Sequence, residues 1–181
     1  MSTKSTYYAP TGGLPPQTQM LSDRAIFTEA YAIIPKRVLT DIVISYLPFW
    51  EGMRMWVIAR PLTGFSETFS QYIVEVAPNG GSQKPELDMK AEAVLFVVEG
   101  EMDITIEGKA HHLEAGGYAF LPPECKWTLK NNSDKHVKFH WIRKAYQFVD
   151  GIDAPEAFVT SDHDVEAIEM PGTDGVWKTT R

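Results

Sequence analysis

The chain has 181 residues and sets 17 Lys and Arg against 24 Asp and Glu, a formal net charge of −7. That length fits one domain with extensions, because domains average roughly 100–200 residues. A hydrophobic content of 44% excludes global disorder, and the acidic balance argues against nucleic acid or an anionic membrane as partner, since each needs a basic face.

Residues 1–26 read as an irregular N-terminal arm, in which Tyr7, Tyr8, Gly12, Gly13, Pro15 and Pro16 show no sustained period. Its start has one Lys followed by polar, Gly and Pro residues where a signal peptide carries its apolar stretch. The best membrane candidate, VISYLPFW at 43–50, is short and broken by Pro48. The expectation is a soluble, cytoplasmic protein. Cys125 stands alone, so neither an internal disulfide nor a Cys-based zinc site can form.

From residue 27 to 149 the chain turns to short runs rich in β-branched and aromatic residues. In order they are YAIIPK, DIVISYLP, MRMWVIARP, FSQYIVEVAP, EAVLFVVEG, MDITIEG, YAFLPP, KWTLKN and KHVKFHWIRKAYQFV. Turn residues separate them at Pro78–Gly81, Glu99–Glu101, Glu107–Lys109, Ala115–Gly117 and Asn131–Ser133. MDITIEG alternates at period two, with Met102, Ile104 and Ile106 on one face. Many short strands without a helical period predict an all-β sandwich or barrel of jelly-roll type. Residues 150–181 are acidic and interrupted by Pro155, Pro171, Gly172 and Gly175, which suits a C-terminal linker and a new strand beginning near Val176.

The stretch from Ala77 to Ser133 resembles a cupin. Gly80 and Gly81 open its first conserved piece and EAVLFVVEG, ending at Gly100, closes it; Gly117, Pro122-Pro123-Glu124 and Asn131 supply the second. The resemblance extends further. YYAPTGGLPPQT, LSDRAIFTEAYAIIPKRVLTDIVISYLPFWEG, FSQYIVEVAPNGGSQKPE and PGTDGVWKTTR are similar to the N-terminal part of the ureidoglycine aminohydrolase family, the glyoxylate-induced bicupins of allantoin catabolism. That resemblance implies a cupin-type jelly-roll barrel and a protein with two cupins in tandem. This chain then holds the first cupin, the linker and the first residues of the second. It also implies a small-molecule ureide substrate, a Mn²⁺ ion held in the second cupin, and a homo-oligomer.

Aligned on Gly100 and the Pro122 turn, the cupin metal-ligand positions fall at Leu87, Met89, Ala93 and Trp127. None of these is a ligand for a hard divalent metal. The expectation is a metal-free barrel whose degenerate site positions line a pocket, with Trp127 filling the mouth. No catalytic, cofactor-binding or metal-binding residue is assigned in this chain. Other candidates have bland readings beside sharp ones. Glu86, Asp88 and Glu92 reach the site only by a register shift and otherwise are solvated loop acids. His111 and His112 follow a tight turn and, since adjacent strand residues would point to opposite faces, cannot both enter one site and read as surface histidines. His136 and His140, four apart, share a strand face but lack a third ligand. Cys125 has Lys126 beside it as a cation to lower its pKa, against the reading of a small hydrophobe at a turn. Arg54, Arg60 and Lys138 either point inward toward an anion or are exposed. No G-x-S-x-G, phosphate-binding loop or H-E-x-x-H occurs.

Three readings follow. The first is the non-catalytic N-terminal half of an aminohydrolase, giving structure and oligomer contacts through aromatics such as Tyr7, Tyr8, Phe49, Trp50 and Trp56. The others are a degenerate cupin that binds a small metabolite, and a truncated structural fragment.

Overall fold

The computed structural model describes residues 26–27, 31–35, 43–61, 66, 68–84, 86–169 and 178–179. Thirteen strands run in order: β1 (Ile26–Phe27), β2 (Ala32–Ile33), β3 (Trp50–Ala59), β4 (Phe69–Ser82), β5 (Ala91–Glu99), β6 (Glu101–Ile106), β7 (Lys109–Glu114), β8 (Gly117–Leu121), β9 (Trp127–Lys130), β10 (Val137–Ala145), β11 (Phe158–Ser161), β12 (Ile168–Glu169) and β13 (Lys178–Thr179). No helix occurs among the described residues.

Period-two patterning decides which side chains enter the core. On β5, Ala91, Ala93, Leu95 and Val97 are buried; on β6, Met102, Ile104 and Ile106; on β10, Val137, Phe139 and Trp141. These faces meet Met53 and Met55 of β3, Val74 and Val76 of β4, and Trp127 and Leu129 of β9 in one cluster.

Nine strands make a single antiparallel sheet folded into a nearly closed barrel. Hydrogen-bonded neighbours run β11-β8-β5-β10-β4-β9-β6-β7, with β3 added on β4. This is the all-β, cupin-type jelly roll that the sequence predicts. The strand that makes it a barrel is β4. Its first part pairs with β10, β3 follows it on both sides of a bend, and its end turns to meet β9, where Gly81 pairs with Lys130.

That crossing corrects one expectation. Pro78–Gly81 reads as a turn between strands, yet β4 continues through it to Ser82. The reason is local geometry. Residues 77–80 of β4 stand opposite the single Gly52 of β3, and the surplus chain bends the strand around the corner. Gly81 has φ +151, and a Cβ there would lie 2.2 Å from the Leu129 carbonyl oxygen, so only glycine lets the two backbones approach this closely.

Asn131 pins the corner from within. It is fully buried. Its Nδ2 donates to the carbonyls of Val76 at 2.9 Å and Lys135 at 2.7 Å, and its Oδ1 accepts from Ser133 N at 3.0 Å and Ser133 Oγ at 2.8 Å. Its backbone N–H donates to Gly80 O at 3.0 Å, and its carbonyl accepts from Asn79 N at 2.8 Å. The whole amide is satisfied, as a buried polar group must be.

Four strands lie outside the runs read from the sequence, the two-residue β1 and β12 and the longer β7 and β11. The polar run KAHHLE forms β7, and the acidic segment after residue 150 contributes β11, which pairs with β8. Phe158 of β11 stacks on Tyr118 and Phe120, each with centroids 5.7 Å apart. The run DIVISYLP shows only a bridge from Ile44 to Met55 among its described residues. Most of the arm, including Tyr7 and Tyr8, lies outside the described residues, as does Val176; β13 begins two residues later, at Lys178, and pairs with β12.

Removing the Asn131 amide strands the buried Val76 carbonyl and two partly buried backbone groups, Lys135 O and Ser133 N. Asn131→Ala is expected to lower unfolding free energy in urea by about 2–4 kcal/mol. A loss within experimental error would show that the corner does not depend on this side chain.

Candidate functional site

The open end of the barrel contains a cavity of about 200 Å³, lined by Leu47, Pro48, Trp50, Met55, Tyr72, Glu86, Leu87, Trp127, Trp141 and Arg143. Its walls come from the core faces of the strands. On β10 the inward series Val137, Phe139, Trp141 continues at period two to Arg143, where the strand leaves the core. Trp50 stands at the start of β3, before the register shift at Gly52.

Trp141 is the hub. Its ring stacks on Trp50 with centroids 5.7 Å apart and an interplanar angle of 25°. Trp127 meets it edge-on at 5.9 Å, and Tyr72 lies at 5.7 Å. Trp50 and Trp127 are themselves 6.3 Å apart at 79°.

Charge gathers at the rim. Arg143 Nη2 lies 3.3 Å from Glu86 Oε1 and 3.2 Å from Asp88 Oδ2. The Arg143 guanidinium also sits over the Trp141 ring, 5.3 Å from its centroid, a cation–π placement.

The four cupin-site positions separate in space. Leu87 and Trp127 line the cavity. Trp127 is 3% exposed, so its indole packs into the barrel mouth. Ala93 is buried in the core cluster of β5. Met89 and Leu87 are solvent-exposed, and Met89 is not part of the cavity wall. None of the four offers an oxygen or imidazole donor, so this set does not fit a Mn²⁺, Fe²⁺ or Zn²⁺ ion. Among the described residues, no three His, Cys, Asp or Glu side chains are grouped to hold a metal.

The remaining candidates fall elsewhere. Of the three loop acids, Glu86 and Asp88 converge on Arg143, while Glu92 pairs with Lys144 at 3.2 Å. His140 lies on the opposite face of β10 from Phe139 and Trp141, 3.4 Å from Gln71 through Nδ1, and burial lowers its pKa. His136 precedes β10 and borders a separate outer groove with Arg54, Glu75, Glu99 and Lys138. There Arg54 pairs with the buried Glu75 carboxylate, and Lys138 Nζ lies 2.8 Å from Glu99. Arg54 and Lys138 therefore face outward and are ion-paired. Burial and the Glu107 carboxylate push the Cys125 thiol up to about 11, the behaviour of a small hydrophobe and not of a nucleophile.

His112 has a partner. Its Nδ1 lies 2.8 Å from Asp103 Oδ1, and Asn132 Nδ2 donates to Asp103 Oδ2 at 2.7 Å. The hydrogen bond to Asp103 raises the His112 pKa, and the same bond together with that from Asn132 lowers that of Asp103. A raised imidazole midpoint contributes stability below the ordinary His value, and that contribution fades as pH rises through the elevated midpoint. The Asp103 contribution is present above the ordinary carboxylate value and fades on acidification through its lowered midpoint. Asp103→Asn is expected to return the His112 midpoint toward about 6.5, read by NMR titration of its ring protons. An unchanged midpoint would remove Asp103 as the cause.

The sequence places Leu87, Met89, Ala93 and Trp127 around the pocket, of which Leu87 and Trp127 line the cavity, and it does not identify Trp50, Tyr72, Trp141 or Arg143 as walls. For Trp141 and Arg143 the signal was present: both share the parity of Val137 and Phe139.

Comparisons with known proteins agree with this architecture. The family model for the cupin domain matches residues 72–143. The chain is 28% identical over 158 residues to (S)-ureidoglycine aminohydrolase of Escherichia coli (strain K12), covering 87% of this chain and 58% of that protein. A crystal structure from Pseudomonas aeruginosa, described as that of a glyoxylate-induced protein, is 61% identical, with a TM-score of 0.77 over 97% of this chain and 63% of its own. Protein Ylba from E. coli is 24% identical with a TM-score of 0.72, covering 85% of this chain and 62% of that one, and supports the fold. The chain thus spans about six tenths of the length of these relatives.

Proposed function

From the premise that the chain is a ureidoglycine aminohydrolase-like cupin, we propose that it is the metal-free cupin of a protein that hydrolyses ureidoglycine. In that reaction water replaces the amine, releasing ammonia and leaving ureidoglycolate, a step in recovering purine nitrogen from allantoin. The observation that carries this reading is a combination. The chain is similar to an aminohydrolase over 87% of its length, while its cupin ligand positions carry Leu87, Met89, Ala93 and Trp127.

In this reading the division of labour is between domains. The Mn²⁺ ion that the family resemblance implies then belongs to a second cupin outside this chain, because Leu87, Met89, Ala93 and Trp127 at the cupin ligand positions here carry no donor for it. This barrel supplies structure and assembly contacts. Support comes from the face of the β3-β4-β10-β5-β8-β11 sheet opposite the core. It carries Ile73, Val94, Phe96, Ile142, Tyr118 and Phe120, all half-buried, and Phe158, exposed at 49%. Apolar and aromatic surface of this kind suits an interface. The protein then works in the cytoplasm as a homo-oligomer. Among the described residues, no helix is long and apolar enough to cross a membrane.

The test compares two proteins in an ammonia-release assay with ureidoglycine and Mn²⁺. One is the 181-residue chain; the other is the chain extended with the remaining C-terminal portion of the P. aeruginosa relative. The extended protein is expected to release ammonia and the chain alone to match the uncatalysed rate. Turnover by the chain alone, or none by a correctly folded extended protein, would contradict the reading.

A further inference from the structure

The cavity at the barrel mouth contains two polar atoms that the fold leaves unmatched. Trp141 is 4% exposed, and its Nε1–H has no acceptor among the described residues. Glu86 has a side chain 14% exposed, and its Oε2 has no donor among the described residues. Both residues line the same hollow. A buried donor or acceptor without a partner carries its full desolvation cost. A molecule that satisfies both atoms relieves both costs at once.

The neighbouring charges narrow the chemistry of that molecule. Glu86 Oε1 is occupied by Arg143 Nη2 at 3.3 Å and by the Asp88 backbone N–H at 3.2 Å. Arg143 is further compensated by Asp88 at 3.2 Å, so a ligand carboxylate would meet two carboxylates around an already neutralised cation. An ammonium ion would serve Glu86 but leave the indole N–H without an acceptor. A carboxamide group presents a carbonyl oxygen and an N–H on one rigid, uncharged plane. Such a plane also lies well against indole faces. Leu47, Met55 and Leu87 leave an apolar lining for a short aliphatic tail.

We propose that the mouth of this barrel binds a small uncharged molecule bearing a carboxamide or urea group. Its carbonyl oxygen accepts from Trp141 Nε1, and its N–H donates to Glu86 Oε2. This site stands on the cavity alone and is independent of the hydrolytic reaction proposed above.

Four probes of nearly equal size separate the alternatives: propionamide, N-ethylurea, propionate and propylammonium. Each is titrated into the ¹⁵N-labelled 181-residue chain while the Trp141 indole N–H resonance is followed, assigned by its loss in Trp141→Phe. Probes with so few non-hydrogen atoms are expected to bind weakly, in about the millimolar range. Propionamide or N-ethylurea is expected to shift that resonance saturably, with at least about five-fold tighter binding than propionate or propylammonium. Which of the two binds more tightly distinguishes an amide from a urea ligand, and either supports the site. Trp141→Phe keeps an aromatic side chain, though a smaller one, and removes the donor, and is expected to weaken binding by about five-fold or more, read from other cavity resonances. Glu86→Met, at a rim position, is expected to do the same while leaving the indole signal and the thermal midpoint near those of the parent. Tightest binding by propylammonium or propionate, no saturable shift with any probe, or unchanged affinity in both variants would overturn the proposal.

Discussion

A β-barrel must fill its own interior, and here the mouth is filled by aromatic rings centred on Trp141. Trp50, Trp127 and Tyr72 all contact that indole at centroid distances below 6 Å. Pairs of this kind contribute about 0.5–1.5 kcal/mol each beyond the area they bury. They tie β3, β4, β9 and β10 together at the barrel mouth. The same packing sets the chemistry. Convergent imidazoles and carboxylates would make the space polar and able to hold a cation, whereas indoles make it apolar, with charge among the described residues gathered at the Glu86–Arg143–Asp88 rim.

That arrangement depends on β4 turning the corner of the barrel. Because the strand bends at residues 77–80 and continues, one chain segment holds Tyr72 in the mouth cavity and reaches β9, which carries Trp127. Gly81 gives the close approach and Asn131 holds the bend through backbone and side chain together. Corner and mouth are therefore one construction, and distortion at the corner would be felt among the indoles.

The fold was largely legible because the strands obey period two. Met102, Ile104 and Ile106 were placed on one face by pattern alone, and they are buried together. The pattern failed where local composition competes with pairing. Pro78-Asn79-Gly80-Gly81 has the residues of a turn, and only the partner strands reveal a bend within β4. KAHHLE has too little apolar character to read as a strand, yet β6 pairs with it along its whole length. At the site, Trp127 was legible through its spacing from the Pro122 turn. The convergence of Trp50, Tyr72 and Glu86 was not, because they come from separate segments joined only by the barrel's closure. Arg143 was hidden differently: a basic residue near a strand end reads as exposed, although its parity with Trp141 turns it toward the mouth.

The central claim is that aromatic packing closes this barrel mouth and that the residues at its four cupin ligand positions do not fit a hard divalent metal. The most direct measurement is metal content by mass spectrometry of the purified 181-residue chain, after exposure to excess Mn²⁺ and exhaustive dialysis. The account predicts metal at the level of the dialysis buffer. One equivalent of tightly held Mn²⁺, or of any transition metal, would contradict it and would require ligands other than Leu87, Met89, Ala93 and Trp127.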